Sequence, residues 1–208
     1  MTQNTSSAVM QRRSEPHDSL DDFPTPPWAT RALCEWIPGN THWDDLRLLA
    51  VMEPAANRGH MVSPLREYFG IVRAADVHDY GAGYPVEDYL FQRPPKTDWM
   101  ITNPPFRLAE QFALHALRFT PAVAMIVRSA FLEGVGRYDR LFRRMPPTDI
   151  LQFTERVVMH KGKLSAKGST ATSYCWIVWS GPIGATRFHW LAPCRKRLER
   201  PEDYLRGE

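Results

Sequence analysis

Three polar clusters each follow an apolar run, and their residue types suit one shared site. The most specific is Asn103-Pro104-Pro105-Phe106, which follows Trp99-Met100-Ile101-Thr102. Two consecutive prolines fix a rigid, extended backbone, and an aromatic ring at its end can stack on a flat ring. An exocyclic amine such as that of adenine is a poor nucleophile because its lone pair is delocalised into the ring. Two acceptors placed on its two hydrogens draw it toward tetrahedral geometry and free that pair. The Asn103 side-chain oxygen offers one acceptor and the Pro104 carbonyl the other, and the rigid loop keeps both aimed in advance. The competing reading is a helix-entry turn that uses proline for its fixed φ.

The other two clusters end earlier runs. In Glu53-Pro54-Ala55-Ala56-Asn57-Arg58-Gly59-His60 the small residues let the backbone turn tightly and approach a ligand. Glu53 can accept hydrogen bonds from a cationic or hydroxylated ligand, or it can simply close an ordinary strand-to-helix turn. Asp76 follows about 20 residues later, where α/β nucleotide-binding folds hold two ribose hydroxyls. Asp79 is a rival for that role, and a loop-capping acid is the plainer alternative for both. No G-x-G-x-x-G and no Walker lysine motif occurs, which argues against a nicotinamide dehydrogenase or a phosphate-binding loop.

Such clusters need elements that bring them together. Trp28, Ala32 and Trp36 recur at helical spacing after Phe23-Pro24-Thr25-Pro26-Pro27, so a helix runs to about Ile37, with Thr25 as its cap and a proline in its first turn. Residues 46–52, 71–75, 99–102 and 122–127 read as strands, and 61–69 and 108–119 as helices. Strand and helix in alternation predict an α/β, Rossmann-like sheet, mostly parallel and doubly wound, whose strand ends carry the ligand. Residues 150–158 and 171–179 read instead as a long antiparallel hairpin closing one edge, with the basic loop His160-Lys161-Gly162-Lys163 between them.

The chain has 208 residues, which suits one domain: a polar tail over 1–21, the domain over 22–194 and a charged end over 195–208, read as a short helix or a loose tail. A net charge of +3 makes the chain as a whole no strongly basic nucleic-acid binder, so any such surface must come from local clustering. The cysteines, Cys34, Cys175 and Cys194, are odd in number and far apart, and neither they nor the histidines show metal-ligand spacing. We expect no metal, no membrane span and no signal peptide, and a reduced, cytoplasmic protein.

In order, Phe-Pro-Thr-Pro-Pro-Trp, Glu-Pro-Ala-Ala-Asn-Arg-Gly-His-Met, Asp76 and Asn-Pro-Pro-Phe resemble the successive motifs of amino-group DNA methyltransferases, especially small phage- or prophage-type DNA adenine-N6 methyltransferases. The resemblance spans about residues 23 to 180. It implies S-adenosylmethionine as methyl donor and DNA as substrate. By position it puts Glu53 and Ala55 of the first loop near the donor's methionine and ribose, Asp76 on the ribose hydroxyls and Asp88 on the donor's adenine amine. Phe23 and Thr25 would close over the methionine end, and Phe106 would stack on a flipped base. Asn57 departs from the pattern, standing where many members have Gly; Asn tolerates φ > 0 better than most residues. We also expect no separate target-recognition domain.

Contacts to DNA must then come from local cations. Arg128, Arg137, Arg140, Arg143 and Arg144 follow the last parallel strand, and Lys161, Lys163 and Lys167 crowd the hairpin loop. We take Arg137, Lys161 and Lys163 as the phosphate contacts; a solvated charge run is the alternative. Rival functions are methylation of an amino group in RNA or of a protein glutamine, and an inactive donor-binding module.

Overall fold

Runs that stay apolar on both faces become inner strands. In the computed structural model, which describes residues 21–204, seven strands form one sheet: β1 (Ala50–Glu53), β2 (Ile71–Ala74), β3 (Trp99–Thr102), β4 (Ala122–Arg128), β5 (Asp149–Phe153), β6 (Tyr174–Trp179) and β7 (Arg187–Leu191). Their spatial order is β2-β1-β3-β4-β6-β5-β7. All run the same way except β6, which is antiparallel to β4 on one side and β5 on the other. Every residue of β3 and β6 is buried, as expected where both faces are covered.

Helices cover both faces. On one side α1 (Pro27–Trp36) and α2 (Val62–Tyr68) pack Trp28, Leu33 and Leu65 against Ala124 and Ile126 of β4. On the other, α3 (Ala109–Phe119) packs Phe112 and Ala116 with Val123 and Met125, the alternate residues of the same strand. The doubly wound sheet read from the sequence is thus the observed one. The Trp176 indole crosses the first layer and donates to the Ala29 carbonyl at 3.0 Å, tying β6 to α1.

Several expectations change in detail. Thr25 does not cap α1: Pro26 takes the N-cap position, and its carbonyl already receives the Ala29 amide that a side-chain cap would serve. The strand expected over 46–52 begins only at Ala50. The Asp45 carboxylate accepts the Arg47 amide at 3.0 Å and winds Leu46–Leu48 into a 3₁₀ turn instead. The hairpin is shorter than read, because 154–173 is irregular between β5 and β6. Beyond it lies β7, which the sequence reading lacked. Its signal was present: Arg187-Phe188-His189-Trp190-Leu191 alternates, with Arg187 and His189 turned onto the fully buried Asp149 carboxylate at 2.8 Å each.

The C-terminal segment resolves to a short helix, α4 (Arg195–Leu198), followed by a 3₁₀ turn, Pro201–Tyr204. Arg31 of α1, almost wholly buried, holds it by donating to the Leu198 carbonyl at 2.8 Å and to Asp203 at 2.7 Å, while also pairing with Glu67 of α2. The predicted N-terminal tail lies outside the described residues apart from Asp21, as do the last four residues of the C-terminal end.

Candidate active site

The carboxyl ends of β1, β2 and β3 open into one cavity of about 270 Å³. Its wall brings together Phe23, Thr25, Ala55, Asp76, Asp88, Asn103 and Pro105, residues drawn from five separate stretches of the sequence. Asp79, the rival to Asp76, is not in that wall; it turns to the Gly81 amide in an exposed loop.

Asp76 is buried and accepts the Asn57 amide at 2.8 Å on one oxygen and the His78 amide at 2.9 Å on the other. Each carboxylate oxygen has a further lone-pair site for a ligand. Asn57 is the one non-glycine with positive φ among the described residues, at 50°. It adopts that conformation because its ends are held: Asp76 takes its amide N–H, and its side-chain amide donates to Asp22 at 2.7 Å. Gly59, at φ 86°, holds a conformation that strains any side chain, and a Cβ there would also displace the Tyr84 hydroxyl. Asp88 accepts the Leu90 amide at 3.0 Å and remains half-buried at the cavity.

Glu53 lies beneath the wall rather than in it. It is fully buried, and its Oε1 accepts both the Ala55 amide at 2.9 Å and the Thr102 hydroxyl at 2.6 Å, while Oε2 has no partner among the described residues. Burial pushes its pKa up to about 8, with the Asp76 carboxylate adding to the rise and the two hydrogen bonds opposing it. Its geometric role is therefore to shape the turn that presents Ala55.

Asn103 has a divided side chain. Its amide nitrogen donates to the Phe23 carbonyl at 2.8 Å, which fixes the orientation of the group because a carbonyl can only accept. The opposite atom, Oδ1, is buried and has no hydrogen-bond partner among the described residues. The Pro105 carbonyl is taken by the Leu108 amide at 2.9 Å, which leaves the Pro104 carbonyl as the loop's second candidate acceptor. Pro104 itself is buried. Phe106 stands outside the cavity, tilted 43° against Phe23 at 5.2 Å between ring centroids.

Sequence reasoning missed the strap that closes this site. The buried Asp22 accepts Asn57 Nδ2 and pairs with Arg58 at 2.9 Å, and its carbonyl receives the Gly162 amide at 2.7 Å. Its neighbour Phe23 then meets both Asn103 and Phe106. No local signal marks Asp22, because its partners lie 35 residues away and farther. Thr25 and Tyr89 also line the cavity, and their hydroxyls are buried with no partner among the described residues.

The expected phosphate contacts separate. Lys161 and Lys163 are exposed in the loop between β5 and β6. Arg137 is turned inward: it donates to the Phe131 and Glu133 carbonyls at 2.6 Å each and lies over the Phe131 ring. That geometry makes it a support for its own loop. Arg140 and Arg143 are paired with Glu110 and Asp139. Among the described residues no group of His, Cys, Asp and Glu is placed to hold a metal ion, and no helix is long and apolar enough to cross a membrane.

No family model and no curated protein matches the sequence. Solved structures do resemble the fold. A class I S-adenosylmethionine-dependent methyltransferase assigned in Listeria monocytogenes aligns with TM-score 0.62 at 11% identity, over 92% of this chain and 71% of that one. The chain has the class I methyltransferase fold. A Pyrococcus horikoshii protein assigned as an RNA methyltransferase aligns with TM-score 0.59 at 15% identity, over 85% of this chain and 97% of that one. The methyltransferase subunit of a type I restriction-modification system from Streptococcus thermophilus gives 0.59 at 12% identity, over 81% of this chain but only 47% of its own length. In this methyltransferase fold the cavity lies where the general rule for open α/β sheets puts a ligand, beyond the carboxyl ends of the parallel strands.

Proposed function

We propose that the protein transfers a methyl group from S-adenosylmethionine to an exocyclic amine, that of adenine in DNA. The observation that carries this reading is Asn103 Oδ1: a buried acceptor with its orientation fixed and no partner among the described residues, in a cavity lined by acids. A buried polar atom without a partner is costly, and an amine N–H presented to it would relieve that cost. The cavity suits the donor. Asp76 would accept the ribose hydroxyls, Asp88 the adenine amine, and the unpartnered Thr25 hydroxyl, with Phe23, would close over the methionine end.

S-adenosylmethionine supplies a methyl group on a sulfonium, activated for direct displacement. The chain's own part is to orient and to polarise. Asn103 Oδ1 and the Pro104 carbonyl each accept one amine hydrogen, so the nitrogen lone pair turns out of the ring plane toward the cavity. With the donor bound, the amine nitrogen would take the methyl group as the sulfonium gives up its S–C bond and becomes a neutral thioether, and the surplus amine proton would pass to water. No covalent enzyme intermediate is required. In a duplex the adenine must first leave the stack, and Phe106 offers an aromatic ring beside the acceptor loop.

DNA is favoured by the order of motifs from Phe23 to Phe106 and by the exposed lysines beside the strap. The full-length match to a protein assigned as an RNA methyltransferase favours an RNA amine as the second reading. Labelled methyl transfer to plasmid DNA, total RNA and protein separates them. We expect label in DNA adenine with wild type and none with Asn103→Ala, whose affinity for the donor should stay within a few-fold. An interaction made mainly in the transition state appears in turnover. Phe106→Ala should retain measurable activity, since stacking on one base contributes about 1–3 kcal/mol. Near-normal turnover by Asn103→Ala would reduce the loop to a structural turn and remove the main support for this function.

A further inference from the structure

Arg128 ends β4 directly beside the acceptor loop. Its guanidinium carbon stands 3.9 Å from the centroid of the Phe106 ring, a separation reachable only over the face of the ring, and 5.6 Å from that of Phe23. It also reaches the hydroxyl of the buried Tyr174 on β6. Arg128 is exposed, and the half-buried Phe106 packs against the core. The exposed guanidinium covers one face of the ring.

Arg58, Arg140 and Arg187 are each neutralised, by Asp22, Glu110 and Asp149. Among the described residues no carboxylate pairs with Arg128. The rings and the Tyr174 hydroxyl are neutral partners, and a phosphate offers the guanidinium a bidentate, charge-matched one.

We propose that Arg128 is a positioning residue that exchanges the Phe106 ring for a backbone phosphate of the target nucleotide. Bound to the phosphate, it leaves the ring face it had covered open to the base; without substrate, it keeps that aromatic surface covered. The inference rests on the proposed transfer to a nucleobase and adds to it a demand for phosphate next to the target. It thereby separates nucleic acid from uncharged amine substrates.

The test uses single-stranded oligothymidylate carrying one central adenine, with natural linkages or with a neutral methylphosphonate on either side of the adenine. Wild type, Arg128→Ala and Arg128→Lys are compared in binding across a salt series and in single-turnover methyl transfer, after matching thermal midpoints show that the exposed substitutions leave the fold intact. We expect Arg128→Ala to lose roughly tenfold in affinity for the natural oligonucleotide, the effect of one charge-assisted hydrogen bond. Its salt slope should fall by about one phosphate contact, and Arg128→Lys should keep the slope. Neutralising the linkage should weaken wild type by a similar factor and leave Arg128→Ala unchanged, because both changes remove the same contact. Losses that multiply, or an unaltered salt slope in Arg128→Ala, overturn the proposal while wild-type transfer to DNA stands. A wild type that neither binds nor methylates any oligonucleotide removes the nucleic-acid reading itself, and this inference with it.

Discussion

Asp76 serves two masters at once. It fixes the first loop by accepting the amides of Asn57 and His78, and it presents what remains of its two oxygens to the cavity. Replacing it with Ala should lower affinity for S-adenosylmethionine by roughly tenfold or more, since a lost hydrogen bond to a charged group costs about 1.5–3 kcal/mol. The same change frees Asn57 from the contact that holds it at positive φ, so part of the loss would come from a loosened loop. Asn57→Gly tests the loop with Asp76 intact, because glycine takes that conformation without strain and keeps the backbone N–H that Asp76 accepts, while only the side-chain bond to Asp22 is lost. Calorimetry should find Asn57→Gly near wild type and Asp76→Ala far weaker. Equal losses in both variants would make Asp76 a loop support and move the ribose role elsewhere. Acids at strand ends were readable in the sequence, because an apolar run that stops at an acid marks both the end of a buried strand and the mouth of the sheet. Which oxygen of which acid was already spent could not be read there, since Asn57 and Asp76 meet across 19 residues.

At the scale of elements, the loop between β5 and β6 and the strap over 21–25 form one unit. The Gly162 amide donates to the Asp22 carbonyl at 2.7 Å, and the Asp22 side chain grips Asn57 and Arg58. A loop that carries Lys161 and Lys163 is thereby fastened to the segment that covers the cavity. Replacing both lysines with Ala leaves that backbone hydrogen bond in place and removes the two ammonium groups. We expect binding to every DNA sequence to weaken alike and the salt slope to fall by about two, one for each lost phosphate contact. A shifted methylation site with an unchanged slope would mean instead that the lysines read base edges. Periodicity made the paired strands around this loop legible. Their lengths were not, because Tyr174–Trp179 is fixed by pairing with β4, from which it is separated by more than forty residues. The outermost strand β7 escaped for a related reason. Phe188 and Trp190 are half or more exposed, so its alternation is not the apolar-in, polar-out pattern that marks a half-buried strand.

Across the whole molecule, the convergence of acids at one end of the sheet has a cost that stability measurements can read. Glu53 is fully buried, and burial, helped by Asp76, raises its pKa from 4.5 to about 8. Unfolding returns it to the ordinary carboxylate range. Between those values the folded chain holds a proton that the unfolded chain has lost, so folding takes up a proton and stability falls as pH rises. The slope from this one group is at most about 1.4 kcal/mol per pH unit, and it disappears above the folded pKa, where both states are ionised. Both internal donors, the Ala55 amide and the Thr102 hydroxyl, meet Oε1, so the proton belongs on Oε2. Glu53→Gln places an amide N–H there and copies the protonated carboxyl. Urea unfolding of the two proteins from pH 5 to pH 9 should therefore find comparable stability near pH 5 and a widening advantage for Glu53→Gln as pH rises, levelling off above pH 8. Parallel profiles would mean that Glu53 is ionised throughout. The turn beneath the cavity would then rest on a buried carboxylate, stabilised by those hydrogen bonds to a degree that burial alone would not permit.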